Sequence, residues 1–382
     1  MAINESKLNS RIWLSPPHMS GYEQEFIEEA FKLNWIAPLG PNVNGFENDI
    51  EVYLNQNRHV TALSSGTAAI HLALHIIGVK AKDEVICQTK TFVASVNPVK
   101  YLGATPILVD SEKETWNICP KLLEQAIIDR INKGKKPKAI IAINLYGMPY
   151  NTMQIETISK KYNIPIIEDS AEAFGSEVYG RKCGTFGDFS ILSFNGNKII
   201  TTSGGGALIT SSKKLKEKAV FLATQAKEDG NEYIHKTLGY NYRMSNIIAG
   251  IGRGQMRVLD NYVSLRRRNY KYYQQNLCHI KAITFLNEPK GFTSNRWLTC
   301  ILLDNENTRN NLLKLLNDHN IEARPSWKPM HLQPLYKNVP TYLNGVSEEL
   351  YKKGLCLPSG SNLTKNDLKR IVNLIKSYFG EA

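Results

Sequence analysis

Two residues of this chain combine a reactive side chain with the surroundings that would make it useful. One is Lys198, which follows Ser190-Ile191-Leu192-Ser193-Phe194-Asn195-Gly196-Asn197 and precedes Ile199-Ile200-Thr201-Thr202-Ser203-Gly204-Gly205-Gly206. The other is Asp169, where the apolar run Ile164-Pro165-Ile166-Ile167 stops at Glu168-Asp169-Ser170-Ala171-Glu172-Ala173. A partly desolvated amine can form a Schiff base with an aldehyde. A buried carboxylate at the C-terminal end of a strand can keep a pyridine nitrogen protonated. Each residue also has a plainer reading, Asp169 as a helix cap and Lys198 as a surface lysine. The apolar neighbours Phe194, Ile199 and Ile200 argue against the second.

An imine-forming lysine and a ring-holding acid are the two protein groups that pyridoxal phosphate chemistry needs most. A place for the phosphate follows from Ala62-Leu63-Ser64-Ser65-Gly66-Thr67-Ala68-Ala69-Ile70, which has the look of strand, loop and helix. A glycine turn there presents free N–H groups and a hydroxyl at the positive end of a helix. Taken alone, Ser65-Gly66-Thr67 is equally an ordinary N-cap. Gly204-Gly205-Gly206 offers a second cradle or a β-turn. His71 and His75 stand four apart, but no third ligand accompanies them, so no metal site is expected.

These residues need a scaffold, and the chain between about 60 and 210 supplies one. Strand-like runs Asp83–Cys87, Thr105–Asp110, Lys138–Asn144 and Ile164–Ile167 alternate with helical patterns such as Cys119–Ile128. Continuous β-branched runs between helices predict an α/β fold, with a mostly parallel sheet covered on both faces. Ligands in such sheets sit beyond the carboxyl ends of the strands, where Asp110, Asn144 and Asp169 stand. A long helical stretch over 255–276 reads as a connector. Beyond it come a strand at Arg296–Leu303, a helix at Arg309–Asn317, a strand-like Ile321–Pro325 and a final helix near Asp367–Phe379. The expected division is a large unit over 1–255 and a smaller C-terminal α/β unit over 256–382. The first fifty residues, with Pro16-Pro17, Pro38 and Gly40-Pro41, read as loop-rich and as wrapping across the boundary.

Composition narrows the classes. At 382 residues, about 150 per domain allows two or three domains. No apolar run reaches the roughly 20 residues that span a bilayer. Met1-Ala2-Ile3-Asn4-Glu5 lacks the basic-then-apolar opening of a signal peptide, so the expected location is cytoplasmic, without membrane insertion. Six scattered cysteines, with no Cys-x-x-Cys pair, point away from a zinc site or a disulfide framework. The net charge of +12 suits an anionic ligand, whether nucleic acid, an acidic membrane surface or a phosphorylated small molecule, and is equally the mark of a well-solvated surface. A basic nucleic-acid-binding regulator is therefore the rival from another class, and a silent sugar-nucleotide scaffold a third. Lys198 and Asp169 together weigh against both, and no nucleic-acid partner is expected.

Several segments recur in one order: Ser65–Ala69, Thr91–Ser95, Glu168–Ala173, Ser193–Lys198, Gly239–Asn246 and Leu355–Gly360. In this order they resemble the DegT/StrS family of PLP-dependent sugar aminotransferases, over essentially the whole chain. Leu14–Met19, Asn34–Gly40, Asn195–Gly206, Ser294–Leu298 and Arg324–Lys328 are more closely similar to the UDP-N-acetylbacillosamine-pathway 4-aminotransferases.

The resemblance implies a fold type I aminotransferase in which Lys198 forms the Schiff base and shuttles the proton. It implies that Asp169 pairs with the pyridinium nitrogen, that Phe92 stacks on the ring, and that Thr67, Ala68 and Ser193 hold the phosphate. Asn241 would reach the cofactor phosphate of a neighbouring subunit, which implies a homodimer with shared sites. Asn34, Trp35, Ile36, Ala37, Ser65, Gly66, Arg324, Pro325, Ser326, Trp327 and Lys328 would contact the sugar nucleotide, with His331 a further candidate. Glu172 stands where many members have Gln or His, and it would alter the electrostatics at the ring face or phenolic oxygen. Asn144-Leu145-Tyr146-Gly147 replaces a frequent His-Leu-Tyr-Gly. Related dehydratases carry histidine in place of the lysine, so Lys198 favours transamination. The implied reaction moves the amino group of L-glutamate, with pyridoxamine phosphate as intermediate, to the C4 ketone of a UDP-2-acetamido-2,6-dideoxy-4-ketohexose. A dTDP-ketosugar 3- or 4-aminotransferase is the rival within the family.

Overall fold

β-Branched and aliphatic residues buried on both sides of a strand leave it no solvent face, and such strands stack into a covered sheet. In the computed structural model, which describes residues 10–381, seven of the eight strands of the main sheet do this, and the short edge strand over 341–342 is partly exposed. Residues 1–9 and 382 lie outside the described residues, and so does the reading of Met1–Glu5. The strands are β1 (His59–Leu63), β2 (Glu84–Gln88), β3 (Thr105–Val109), β4 (Ala139–Ile143), β5 (Ile166–Asp169), β6 (Phe189–Ser193), β7 (Gly206–Thr210) and β8 (Thr341–Tyr342). They lie in the order β1-β7-β6-β5-β4-β2-β3-β8. All neighbours are parallel except β7, which runs against both β1 and β6.

The two-residue period of a strand divides the core. Val85, Cys87, Ile141 and Ile143 join one apolar cluster, with Ile70 and Leu74 of the helix Gly66–Ile77. Ile86, Ile140 and Ala142 join the other, with Leu123 and Ile127 of the helix Pro120–Asn132 and Ile155 and Ile158 of the helix Thr152–Tyr162. The register sets Asp169 opposite Ile143 on one side and Ile191 on the other, at the carboxyl edge of the parallel strands.

A second, antiparallel sheet takes the order Ile283–Phe285, Thr299–Leu303, Gly354–Leu357, Arg324–Pro325. Its apolar cluster draws Tyr273 and Leu277 from the helix Leu259–Leu277, Leu312 and Leu316 from Glu306–Asp318, and Ile371 and Ile375 from Lys365–Tyr378. Only Arg324–Pro325 of the expected Ile321–Pro325 strand is extended in the sheet. The C-terminal half also returns to the first sheet, where β8 pairs in parallel with β3.

The first fifty residues are less loop-like than their prolines and glycines indicate. Helices occupy Glu23–Lys32 and Pro41–Leu54. Pro41 is the first residue of the second, where its missing N–H is no loss, so the proline marks a start. The segment before them does bridge the two sheets' surroundings. Glu322 N donates to Ile12 O at 2.8 Å and Ser359 N to Leu14 O at 2.8 Å, while Ser15 Oγ donates to Asn197 O at 2.7 Å. The expected connector over 255–276 is the helix Leu259–Leu277, and a separate helix, Asn246–Met256, precedes it.

Candidate active site

Alternation at the end of β5 gives its two acids different work. Glu168 turns away from the site and is clasped by the N–H groups of Gly184 and Phe186, each at 2.8 Å, and by the hydroxyls of Ser170 and Ser190. It holds strand ends together. Asp169 faces the site and is 4% exposed. Ser95 Oγ donates to its Oδ2 at 2.7 Å and Ala171 N to its Oδ1 at 3.1 Å. Burial pushes its carboxyl above the usual range, and the Ser95 bond, the Ala171 bond and the charge of Lys198 pull it back.

Lys198 lies in the loop after β6, its N–H bonded to Asn195 O at 3.0 Å. Its Nζ stands 3.6 Å from Glu172 Oε1 and 4.3 Å from the centre of the Trp297 ring system. Glu172 accepts from Tyr146 N at 2.7 Å. Tyr146 is left-handed (φ 55°), a strained conformation of the kind that clusters at functional sites. Burial raises the Glu172 carboxyl too, with Lys198 the main opposing influence.

Ser65 caps the helix Gly66–Ile77 by accepting from Ala68 N at 3.0 Å, so the plain reading of Ser-Gly-Thr holds for that hydroxyl. Gly66 packs so closely on β6 that an added Cβ would lie 3.2 Å from Ser193 Cβ. Ser65, Gly66, Thr67, Phe92, Asp169, Glu172, Ser193, Lys198 and Trp327 meet around one cavity of about 260 Å³. Ser95, Asn197 and Trp297 also line it. The pyridine cofactor fits this chamber on its own chemistry. Asp169 is a buried carboxylate that forms no ion pair among the described residues, Lys198 stands in the same cavity, and a helix N-terminus lies at its edge.

Other expected residues are placed elsewhere. Ala68 is buried, and its N–H is taken by Ser65. Asn34, Trp35 and Ile36 are exposed and line no part of the cavity, and Ala37 O accepts from Asn246 N at 2.8 Å. Asn241 is exposed and does not line its own chain's cavity. Ser326 is buried, accepting from Lys90 Nζ at 3.0 Å and donating to Leu350 O at 2.8 Å. Lys328 is exposed and Pro325 half-buried. His331 bonds Thr89 Oγ1 at 2.8 Å. Arg324, paired with Glu322 at 2.8 Å, lines a second hollow of about 590 Å³ with Trp13 and Leu14; this hollow shares Asn197, Trp297 and Trp327 with the first. His71 and His75 bond Tyr242 and Tyr240, each at 3.0 Å. Asp110 accepts from the N–H groups of Asn344, Gly345 and Ser347 and so anchors a helix start.

Sequence reasoning gave no role to Ser95, Trp297 or Lys90. Ser95 ends a matched segment and Trp297 sits inside another, so position was the available signal. Nothing local marks Lys90 as buried.

This architecture and cavity define a fold type I pyridoxal phosphate-dependent aminotransferase. A solved DegT DnrJ EryC1 StrS aminotransferase from Brucella abortus superposes with a TM-score of 0.88 at 28% identity, over 94% of this chain and 96% of that one. Residues 17–376 match the DegT/DnrJ/EryC1/StrS aminotransferase family, and the chain belongs to it. It is 47% identical over 376 residues to the "Putative pyridoxal phosphate-dependent aminotransferase EpsN" of Bacillus subtilis (strain 168), with 97% of each chain covered. It is 37% identical over 365 residues to the GDP-perosamine synthase of Escherichia coli O157:H7, covering 96% of this chain and 98% of that one. The protein is a pyridoxal phosphate-dependent sugar aminotransferase, which takes an amino donor and a sugar ketone. Among the described residues, no helix is long and apolar enough to cross a membrane.

Proposed function

We propose that this enzyme moves the amino group of L-glutamate to the C4 ketone of a UDP-2-acetamido-2,6-dideoxy-4-ketohexose, giving a UDP-4-amino-4,6-dideoxy-N-acetyl sugar of the bacillosamine type. The observation that carries the reading is the meeting of Lys198, Asp169 and Glu172 in one cavity that adjoins a hollow lined by Trp13 and Arg324. When bound, the cofactor supplies an electron-withdrawing ring that carries the amino group between donor and ketone. Lys198 anchors it and, once free, moves a proton to and from sugar C4. Asp169 holds the ring nitrogen's proton. Phe92 covers a ring face, while Thr67 and Ser193 bind the phosphate at the helix start that Ala68, its N–H held by Ser65, helps to shape. Arg324, Pro325, Ser326, Trp327, Lys328 and His331 form or support the sugar-nucleotide side, with Ser65, Gly66 and residues 34–37.

The exposed Asn241 suits a role in a partner's site, which supports a homodimer with shared sites. The two sheets support a large unit over 1–255 and a smaller one over 256–382. Charged nucleotide substrates, which do not cross bilayers unaided, support a cytoplasmic site of action.

A GDP-linked ketosugar is the second reading, favoured by the identity to GDP-perosamine synthase. Purified enzyme, isotopically labelled glutamate and UDP-, dTDP- and GDP-4-ketosugars, compared by product mass, separate the carriers. Amination of the UDP sugar at least tenfold faster than the others supports the first reading. Preference for GDP or dTDP replaces it.

A further inference from the structure

Arg266 lies in the helix Leu259–Leu277 and is 1% exposed. In the sequence, Arg266-Arg267-Arg268 reads as a solvated face, and for Arg266 burial overturns that reading. A buried guanidinium normally has a carboxylate beside it, because an unpaired buried charge costs several kcal/mol. The half-buried neighbour Arg267 has one, Glu288. Arg266 has none: among the described residues it forms no ion pair within 4.0 Å. Its Nη1 donates to Trp297 O at 2.7 Å and its Nη2 to Ser15 Oγ at 3.1 Å, while Nε has no partner among the described residues. Burial draws its pKa down to about 9.

Both acceptors lead to the same peptide. Ser15 Oγ donates to Asn197 O at 2.7 Å, and the Trp297 indole N–H donates to that carbonyl at 2.7 Å. The carbonyl belongs to the peptide bond that leads into Lys198. The Trp297 indole is also the ring beneath Lys198 Nζ.

We propose that Arg266 is a positioning residue for the Lys198 amine, fixing through Ser15 and Trp297 both the peptide that carries the side chain and the indole on which its ammonium rests. The inference rests on the reading of Lys198 as the imine-forming residue.

Two measurements on cofactor-free enzyme test it. Amide hydrogen exchange over residues 195–199 reads the fixing of the peptide. Borohydride trapping of added pyridoxal phosphate, followed by peptide mass, reads how readily the Lys198 amine reaches the aldehyde. Arg266→Lys keeps the charge but loses the fork, whereas Arg266→Met loses both. Both variants should speed exchange over 195–199 by roughly tenfold, the equivalent of about one charge-assisted hydrogen bond. Both variants should also lower the yield of trapped Lys198. Folded variants with wild-type exchange, or with a wild-type yield of trapped Lys198, would overturn the proposal. If neither variant folds, Trp297→Phe keeps a ring but removes the donor to Asn197 O, and its exchange should rise; unchanged exchange there overturns the proposal equally. Failure to trap Lys198 in the wild type would sink the imine reading instead, and the exchange data would still decide the role of Arg266.

Discussion

Burial works in the same direction on Asp169 and Glu172, raising both carboxyls, and Lys198 opposes it at both. An acid whose pKa is raised by folding binds more protons folded than unfolded, just above the ordinary carboxylate range. Stability contributed by that proton is therefore present at low pH and lost as pH rises through the folded pKa. Asp169→Asn removes the buried charge while keeping the shape. It should stabilise the cofactor-free protein at neutral pH by about 1 kcal/mol, as relief of functional-site strain commonly does, and should lower turnover by at least roughly 100-fold. Denaturant unfolding and steady-state rates check the two halves, and a variant that lost stability would contradict the burial argument. Lys198→Ala should abolish the absorbance near the visible edge that marks an imine with the cofactor. It should also raise the Glu172 carboxyl further, because its main opposing charge is gone. A variant that turned over at the wild-type rate would end the role given to Lys198.

At the scale of elements, Gly204-Gly205-Gly206 is one motif in the sequence and three environments in the fold. A Cβ on Gly204 would meet nothing within 4 Å, whereas one on Gly206 would lie 2.3 Å from Gly66 N and Ser65 C. Those atoms are backbone at the start of the helix Gly66–Ile77, so they cannot move aside cheaply. Gly206→Ala should destabilise the protein by about 1–3 kcal/mol and weaken cofactor binding by displacing that helix start. Gly204→Ala should change stability by no more than about 0.5 kcal/mol. Parallel unfolding curves and a cofactor titration check both, and equal stability losses would show that the close approach does not matter. The same contrast explains what was legible. β2 to β5 could be read because burial on both faces leaves a local mark, a short β-branched run between turns. The acid was legible for the same reason, since it ends such a run, and the lysine because it stands between the run of β6 and the apolar Ile199-Ile200. The helices over 23–54 were hidden by prolines and glycines that start a helix as readily as they break one. The burial of Arg266 and Lys90 depends on Ser15 and on Ser326 and Trp327, which are remote in sequence, and no window around either residue contains that information.

Across the whole molecule, Lys90 ties the two sheets together. It follows β2 of the large sheet, is wholly buried, and donates to Ser326 Oγ at 3.0 Å and Trp327 O at 2.9 Å, next to the Arg324–Pro325 strand of the small one. Burial draws its pKa down to about 7; Cys356, Cys300 and Asp110 oppose the shift and Arg309 adds to it. Between that value and the ordinary lysine value of about 10.4 the unfolded chain keeps the proton and the folded chain lacks it. The unfolded state then binds more protons, so stability should rise with pH across this window and level off above it. Net charge also falls over this range, so the wild-type slope alone is ambiguous. Lys90→Met removes the titrating group and leaves the rest of the charge almost unchanged. Urea unfolding from pH 6.5 to 9.5 should show wild-type stability climbing and the Lys90→Met curve flatter by the Lys90 contribution. Equal slopes would mean that this amine stays charged in the folded state, held as an ammonium between the two sheets.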